Sequence, residues 1–290
     1  MPREITVNVL SRLGNLYRFL GRYRNADAML GKAFAAATKL FGPGAIETCA
    51  VLNDRAVLYK YAGRFDEAHR LYRQALKGMT ATLGADHPER ATIFHNLGGL
   101  EHARGRYARG EPWARKALAL RERALGTSHP AVAADRTALA AILERRGKAA
   151  EAEKLCNEAL RIFRRTFGAE HYDIAVTLNN LAVLHHGRGE LVSAQRYYRN
   201  ALAMKEKLLG RQHVDVALTL NNLAVFYVAR GKHEEASRMY RRALAIFTAT
   251  LEPDHPKLIG CQANFDKLMR KRRQIKSRKE TKPSKPRTLR

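Results

Sequence analysis

Eleven histidines are the side chains of this chain best suited to proton transfer or metal ligation, and five of them, His87, His129, His171, His213 and His255, stand 42 residues apart. A group that recurs once per period is separated from its copies by a whole structural repeat. Such groups cannot converge on one ion or one substrate, so the spacing predicts a structural role in a recurring turn. His185 and His186 are sequence neighbours, and on a helix neighbouring side chains diverge by about 100°. That geometry is poor for a shared metal. The three cysteines, Cys49, Cys156 and Cys261, form no Cys-x-x-Cys pair. They read as small buried hydrophobes of a reducing compartment. No glycine-rich phosphate loop, Gly-x-Ser-x-Gly elbow or paired carboxylate motif is present. Neither catalysis, a cofactor nor a bound metal is therefore expected.

The elements that carry these residues follow from a second periodic set. Gly21, Gly63, Gly105, Gly147, Gly189 and Gly231 keep the same 42-residue step without insertion or deletion. Seven residues before each lies a small one: Gly14, Ala56, Gly98, Ala140, Ala182 and Ala224. Two more small columns follow each glycine, through Ala26 and Ala33 in the first repeat. Leu178, Leu181 and Ala182 fall at helical spacing, as do Ala194, Tyr198, Ala201 and Leu202 after Gly189. Each repeat is thus helix A, a glycine turn and helix B, and nothing alternates with period two. A fixed long period of this kind predicts an all-α solenoid in which each repeat buries its apolar face against its neighbours. Six repeats are expected, with residues 256–272 as a polar capping helix. Pro112 stands where a proline would break or delay helix B of the third repeat, and it reads either as local drift in a tolerant array or as a bend of the superhelix there. Arg55 stands in a column that is otherwise leucine.

The stretch Leu178-Asn179-Asn180-Leu181-Ala182-Val183-Leu184, the Ala243-Leu244 ending and the loops of the type Leu83-Gly84-Ala85-Asp86-His87-Pro88 resemble the tetratricopeptide repeats of kinesin light chains over roughly residues 5–272. The resemblance implies a right-handed α-α superhelix with the A helices on its concave wall. It also implies a non-catalytic scaffold that holds an extended, acidic peptide in that groove. Helix A of the first repeat begins within a few residues of Met1, so the coiled coil that grips a motor chain is not expected.

On the face opposite the buried stripe, the fifth A helix presents Val176, Asn179, Asn180, Val183 and His186, and the sixth presents Leu218, Asn221, Asn222 and Val225. Earlier repeats offer Arg12, Asn15 and Arg18, then Asn53, Asp54 and Lys60, then His95, Asn96 and His102. Asparagine is a weak helix former. Its recurrence in mid-helix has two explanations: the amides grip the main chain of a peptide, or they bond to the neighbouring A helix. The resemblance assigns Asn53, Asn96, Asn179, Asn180, Asn221 and Asn222 to the peptide, with Arg12, Arg18 and Lys60 as cations.

The formal charge is +26. Between Lys267 and Arg290 there are twelve basic residues and one acid, and residues 273–290 read as a disordered basic tail. This tail suggests a second function, unspecific binding of nucleic acid or another anionic surface. No run has the length of a signal peptide or membrane span, which predicts a cytoplasmic protein. Its oligomeric state is open.

Overall fold

The computed structural model describes the backbone of residues 2–280 and the side chains of residues 5–274. Among the described residues there are thirteen helices and no strand. The A helices are α1 (Pro2–Phe19), α3 (Ile46–Tyr61), α5 (Arg90–Ala103), α7 (Pro130–Arg145), α9 (Tyr172–Gly187) and α11 (Val214–Ala229). The B helices are α2 (Tyr23–Phe41), α4 (Phe65–Leu83), α6 (Tyr107–Leu125), α8 (Ala149–Phe167), α10 (Leu191–Leu209) and α12 (His233–Thr250). The last helix, α13, spans Pro256–Glu280. The expected boundary at 272 therefore falls inside a helix, and residues 281–290 lie outside the described residues. No helix among the described residues is long and apolar enough to cross a membrane.

The turns explain the period. Among the described residues every one with positive φ is a glycine, and the eleven of them, from Gly21 to Gly231, stand at successive multiples of 21. The chain is thus phased by the half-repeat. At the A-to-B turns the residue after the glycine donates its N–H to the carbonyl five residues back, as in Arg22 to Tyr17 O (2.8 Å), Arg106 to Glu101 O (2.8 Å) and Glu190 to His185 O (2.9 Å). This helix-ending motif requires a left-handed residue, which glycine adopts without steric cost.

At the B-to-A turns the recurring histidines cap the next helix. Nδ1 of His129, His171 and His255 accepts the N–H two residues on, at 3.1–3.3 Å; His87 Nδ1 accepts the Glu89 N–H in the same way (3.3 Å), just ahead of α5, which starts at Arg90. The imidazole takes the place that Ser or Asp usually holds at an N-cap. This is the structural role that the 42-residue spacing predicts. His213 differs: its ring lies 4.9 Å from that of Phe19, and its Nε2 is 3.1 Å from Phe19 O.

Two compact units divide the chain, Met1–His213 with α1–α10 and Val214–Arg290 with α11–α13. In the first unit each A helix packs against its own B helix through the small columns. A Cβ on Gly98 would lie 3.2 Å from Ala114 N, so the two backbones are nearly in contact. Leu58, Leu100, Ile142 and Leu184, one per repeat, are at most 2% exposed, and a Cβ on Gly110 of the preceding repeat would lie 3.4 Å from Ile142 Cδ1. Successive A helices of this unit also touch one another, whereas no two of its B helices do among the described residues. The A helices therefore lie on the inside of the curve of this unit.

Pro112 does not break or delay helix B of the third repeat. Helix α6 runs through it and spans the same nineteen-residue window as α4, α8 and α10. The proline removes one hydrogen bond near the start of the helix, while the packing of Gly110 and Ala114 against Gly98 holds the first turns in place. Arg55 is accommodated by polar partners in the leucine column: its Nη2 donates to Tyr59 Oη (2.9 Å) and lies 3.5 Å from Asp27 Oδ1.

Candidate functional site

The contiguous A helices of the first unit form a wall of half-buried polar and aliphatic side chains. At one end Arg18 and Lys60 converge on one aromatic ring: the Arg18 guanidinium lies 5.2 Å, and the Lys60 ammonium 5.1 Å, from the centre of Tyr61. Arg18 Nε also donates to Asn15 Oδ1 (3.3 Å), and Asn15 Nδ2 donates to Asp54 Oδ2 (2.7 Å). Burial pushes the Asp54 carboxyl above the usual range, against the opposing pull of Asn15 and Arg18.

Beside this cluster lies a recess of about 640 Å³ between α1 and α3. Val7, Phe41 and Val51 supply apolar lining, and Ser11, exposed Arg12 and Asp54 supply polar lining. Ser11 Oγ is buried there without a hydrogen-bond partner among the described residues. An orphaned buried hydroxyl costs stability unless something else satisfies it.

Three of the predicted asparagines are engaged between helices. Asn96 Nδ2 donates to Asn53 Oδ1 (2.8 Å), and Asn180 Nδ2 donates to Thr137 O (3.2 Å). Both bonds step 43 residues, one more than the repeat, and tie each A helix to the A helix before it. Asn53 retains 9% exposure. Asn179 is half-buried on the wall beside Asn180. His186 is half-buried in α9, and burial lowers its pKa. Asn221 and Asn222 belong to the second unit; both are half-buried, and Asn221 Oδ1 has no partner among the described residues. The structure thus gathers Arg12, Arg18 and Lys60 near one end of the wall and spends part of the asparagine set on stacking.

Sequence reasoning missed one member of the wall. Asp135 is 1% exposed in a column otherwise held by Val51, Ile93, Thr177 and Thr219. Its carboxylate takes a 2.6 Å contact from His95 Nδ1 and a 2.7 Å bond from Arg121 Nε. The buried acid fixes the imidazole of His95, which is one-third exposed on the wall. An acid in an otherwise uncharged column was the available signal. Nearby, burial together with Arg145 and Lys60 brings the pKa of His102 down to about 4.

The five A helices of the first unit are, as whole helices, close to electrically balanced, with eight basic and seven acidic residues. Among the described residues no group of three or more His, Cys, Asp or Glu could hold a metal ion. Burial raises the thiols of Cys156 to about 12 and of Cys261 to about 11, and it also raises that of Cys49.

Family models described as tetratricopeptide repeat match residues 5–81, 90–131, 134–207 and 216–257. This chain belongs to the tetratricopeptide repeat family. Solved structures with similar folds include BtubC (BKLC) from P. vanneervenii, 25% identical over 88% of this TPR protein and 95% of that chain, with a TM-score of 0.53. A putative kinesin light chain of nearly identical TPR-like repeats from Podosopora anserina is 24% identical over 71% of this chain and 98% of its own, with a TM-score of 0.51. A Rap protein complexed with Competence and Sporulation Factor has a TM-score of 0.56 at 16% identity, over 83% of this chain and 76% of its own; that likeness is one of fold alone. Among curated proteins none matches the TPR chain. TPR arrays are protein-interaction scaffolds.

Proposed function

We propose that the A-helix wall of the first unit binds an extended segment of a partner protein, and that a carboxylate of that segment lies against Arg18 and Lys60. The observation that supports this reading is the convergence of these two cations on Tyr61, next to the recess in which Ser11 Oγ is unsatisfied. A carboxylate gives such a pair a charge-assisted partner. The A helices as a whole are nearly neutral, so the segment needs acid at one point rather than along its length. Val176, Val183 and the half-buried asparagines then meet apolar side chains and main-chain amides. No catalytic step is assigned.

The test is fluorescence polarisation of the full chain against an extended-peptide library, with hits compared on wild type and on Arg18→Glu/Lys60→Glu. Peptides carrying Asp or Glu should lose about tenfold or more in affinity, from two reversed ion pairs near the surface. Their neutral counterparts should change little. Acidic hits that bind the doubly reversed variant as well as wild type would overturn the assignment. The other reading, an anionic partner gripped by the tail from Lys267 onward, rests on a segment whose side chains are described only as far as residue 274.

A further inference from the structure

The charge of the first unit sits on the wall opposite the groove. Its five B helices carry nineteen basic residues and nine acidic ones, while its A helices are almost neutral. The excess is ordered. Arg70 and Arg73 of α4 recur as Arg196 and Arg199 of α10 at the same two positions of the repeat, one helical turn apart on the exposed face. Among the described residues Arg73, Arg161, Arg165 and Arg199 have no carboxylate within ion-pair distance. By contrast, the inward-turned acids of these helices are well used: Glu111 is bonded by Arg115 (2.8 Å), Lys148 (2.9 Å) and Arg146. Seventeen of the nineteen cations of these helices are exposed, the exceptions being Arg121 and buried Lys205, whereas Asp66 alone of the nine acids is exposed.

Between the α6–α7 turn, α7 and the B helix α8 there is also a recess of about 490 Å³, lined by Thr127 and Ser128, by Arg136 of α7, and by Glu158, Arg161, Ile162 and Arg165 of α8. Arg136 forms its floor, with a side chain 10% exposed that pairs with Glu122 (2.7 Å) and Glu158 (3.5 Å). The exposed Arg161 and Arg165 stand at the rim with two hydroxyl side chains. Guanidinium and hydroxyl donors around a concave site match a phosphate oxygen set.

We infer that the outer, B-helix wall of the first unit is a second interaction surface, and that it binds the phosphate backbone of a single-stranded nucleic acid, with one phosphate in the Arg136–Arg161–Arg165 recess. A single strand can follow a convex surface, whereas a flat bilayer meets such a surface only along a narrow strip. Arginine predominates over lysine at these positions, as suits bidentate phosphate contacts. Recognition is by backbone charge and is independent of sequence. This surface is separate from the groove, so either can fail without the other.

The test uses the full chain and a labelled oligo(dT) of about twenty nucleotides, long enough to span more than one site of single-strand contact, with affinity measured by anisotropy across a series of salt concentrations. The tail is kept intact, and the variant Arg161→Gln/Arg165→Gln/Arg196→Gln/Arg199→Gln is compared with wild type. All four residues are exposed on helices, and circular dichroism checks that helicity is unchanged. Wild-type affinity should fall steeply with salt. In the variant the slope of log affinity against log salt should become shallower by about 2.8, at about 0.7 per lost phosphate contact. An unchanged slope and affinity would place the binding in the tail and overturn the proposal. So would capture by phosphatidylserine vesicles with no binding of the oligonucleotide.

Discussion

The bond between Asn96 and Asn53 separates the two explanations of the asparagines, and its removal has a calculable result. Asn96 Nδ2 donates to Asn53 Oδ1 at 2.8 Å, and Asn53 is 9% exposed. Asn96→Ala strips the donor from a buried amide oxygen, a cost of about 1–3 kcal/mol. Alanine returns about 0.5 kcal/mol through its better helix propensity, so the net loss is about 0.5–2.5 kcal/mol. Asn53→Ala leaves the half-exposed Asn96 amide to water and should cost less. In the double variant no orphan remains, and each alanine still brings its propensity gain. The double should therefore be more stable than the sum of the singles by about 1 kcal/mol. The assay is equilibrium urea unfolding of the four proteins, fitted with nearest-neighbour coupling because repeat arrays are not strictly two-state. Amide exchange in α3 and α5 localises the loss. If both singles are stabilised by propensity alone and the coupling is zero, the amides do not staple the helices, and they return to the groove as ligand contacts.

Other consequences are as direct. A Cβ on Gly14 would lie 2.5 Å from Leu30 Cγ, inside a fully buried contact, whereas one on Gly31 meets nothing within 4 Å. Gly14→Ala should lower the unfolding midpoint, with an overpacking cost of about 1–3 kcal/mol against about 1 kcal/mol of helix gain, and Gly31→Ala should raise it by up to about 1 kcal/mol. The pKa of His102 is about 4 in the folded chain, against 6.5 for an ordinary histidine. The unfolded chain therefore binds the extra proton first, and stability present above pH 6.5 should be lost as pH falls towards 4, by up to about 3 kcal/mol. His102→Gln should flatten that part of a stability–pH profile; an unaltered profile would show that the imidazole is not buried. The three buried thiols, all raised in pKa, should resist a disulfide reagent at about pH 8 and react together once urea unfolds the chain. Rapid reaction of Cys156 in the native protein would contradict its burial.

Much of the architecture was legible because its determinants are one-dimensional. Gly21 and its copies must be left-handed, Ala26 and its copies must be small, and both facts survive as spacing in the sequence. At Pro112 the helix break that the sequence suggests does not occur, because the cost of a proline depends on what holds the surrounding turns, here the close approach of Gly110 and Ala114 to α5. The wall was harder to read. Whether an amide faces a ligand or the next helix depends on a partner 43 residues away, and a column alignment at the repeat length shows the residue but not its direction. Asp135 was overlooked for a related reason, since the residues that make a buried acid tolerable, His95 and Arg121, lie in other helices.

The glycines at every multiple of 21 have a consequence for how such a chain can change in length. Because each joint between helices resembles the joint one period on, removing or duplicating any 42 consecutive residues within the array rejoins an A helix to its proper B helix and keeps every glycine in step. A change of 21 residues would instead place two helices of the same kind in succession, and a single-residue deletion inside a helix would rotate the residues beyond it by about 100°, off the buried face. Alteration in whole periods therefore preserves every helix and every turn of the array. That makes the number of repeats, and with it the length of partner the wall can hold, a quantity adjustable in discrete steps without redesign of any single contact.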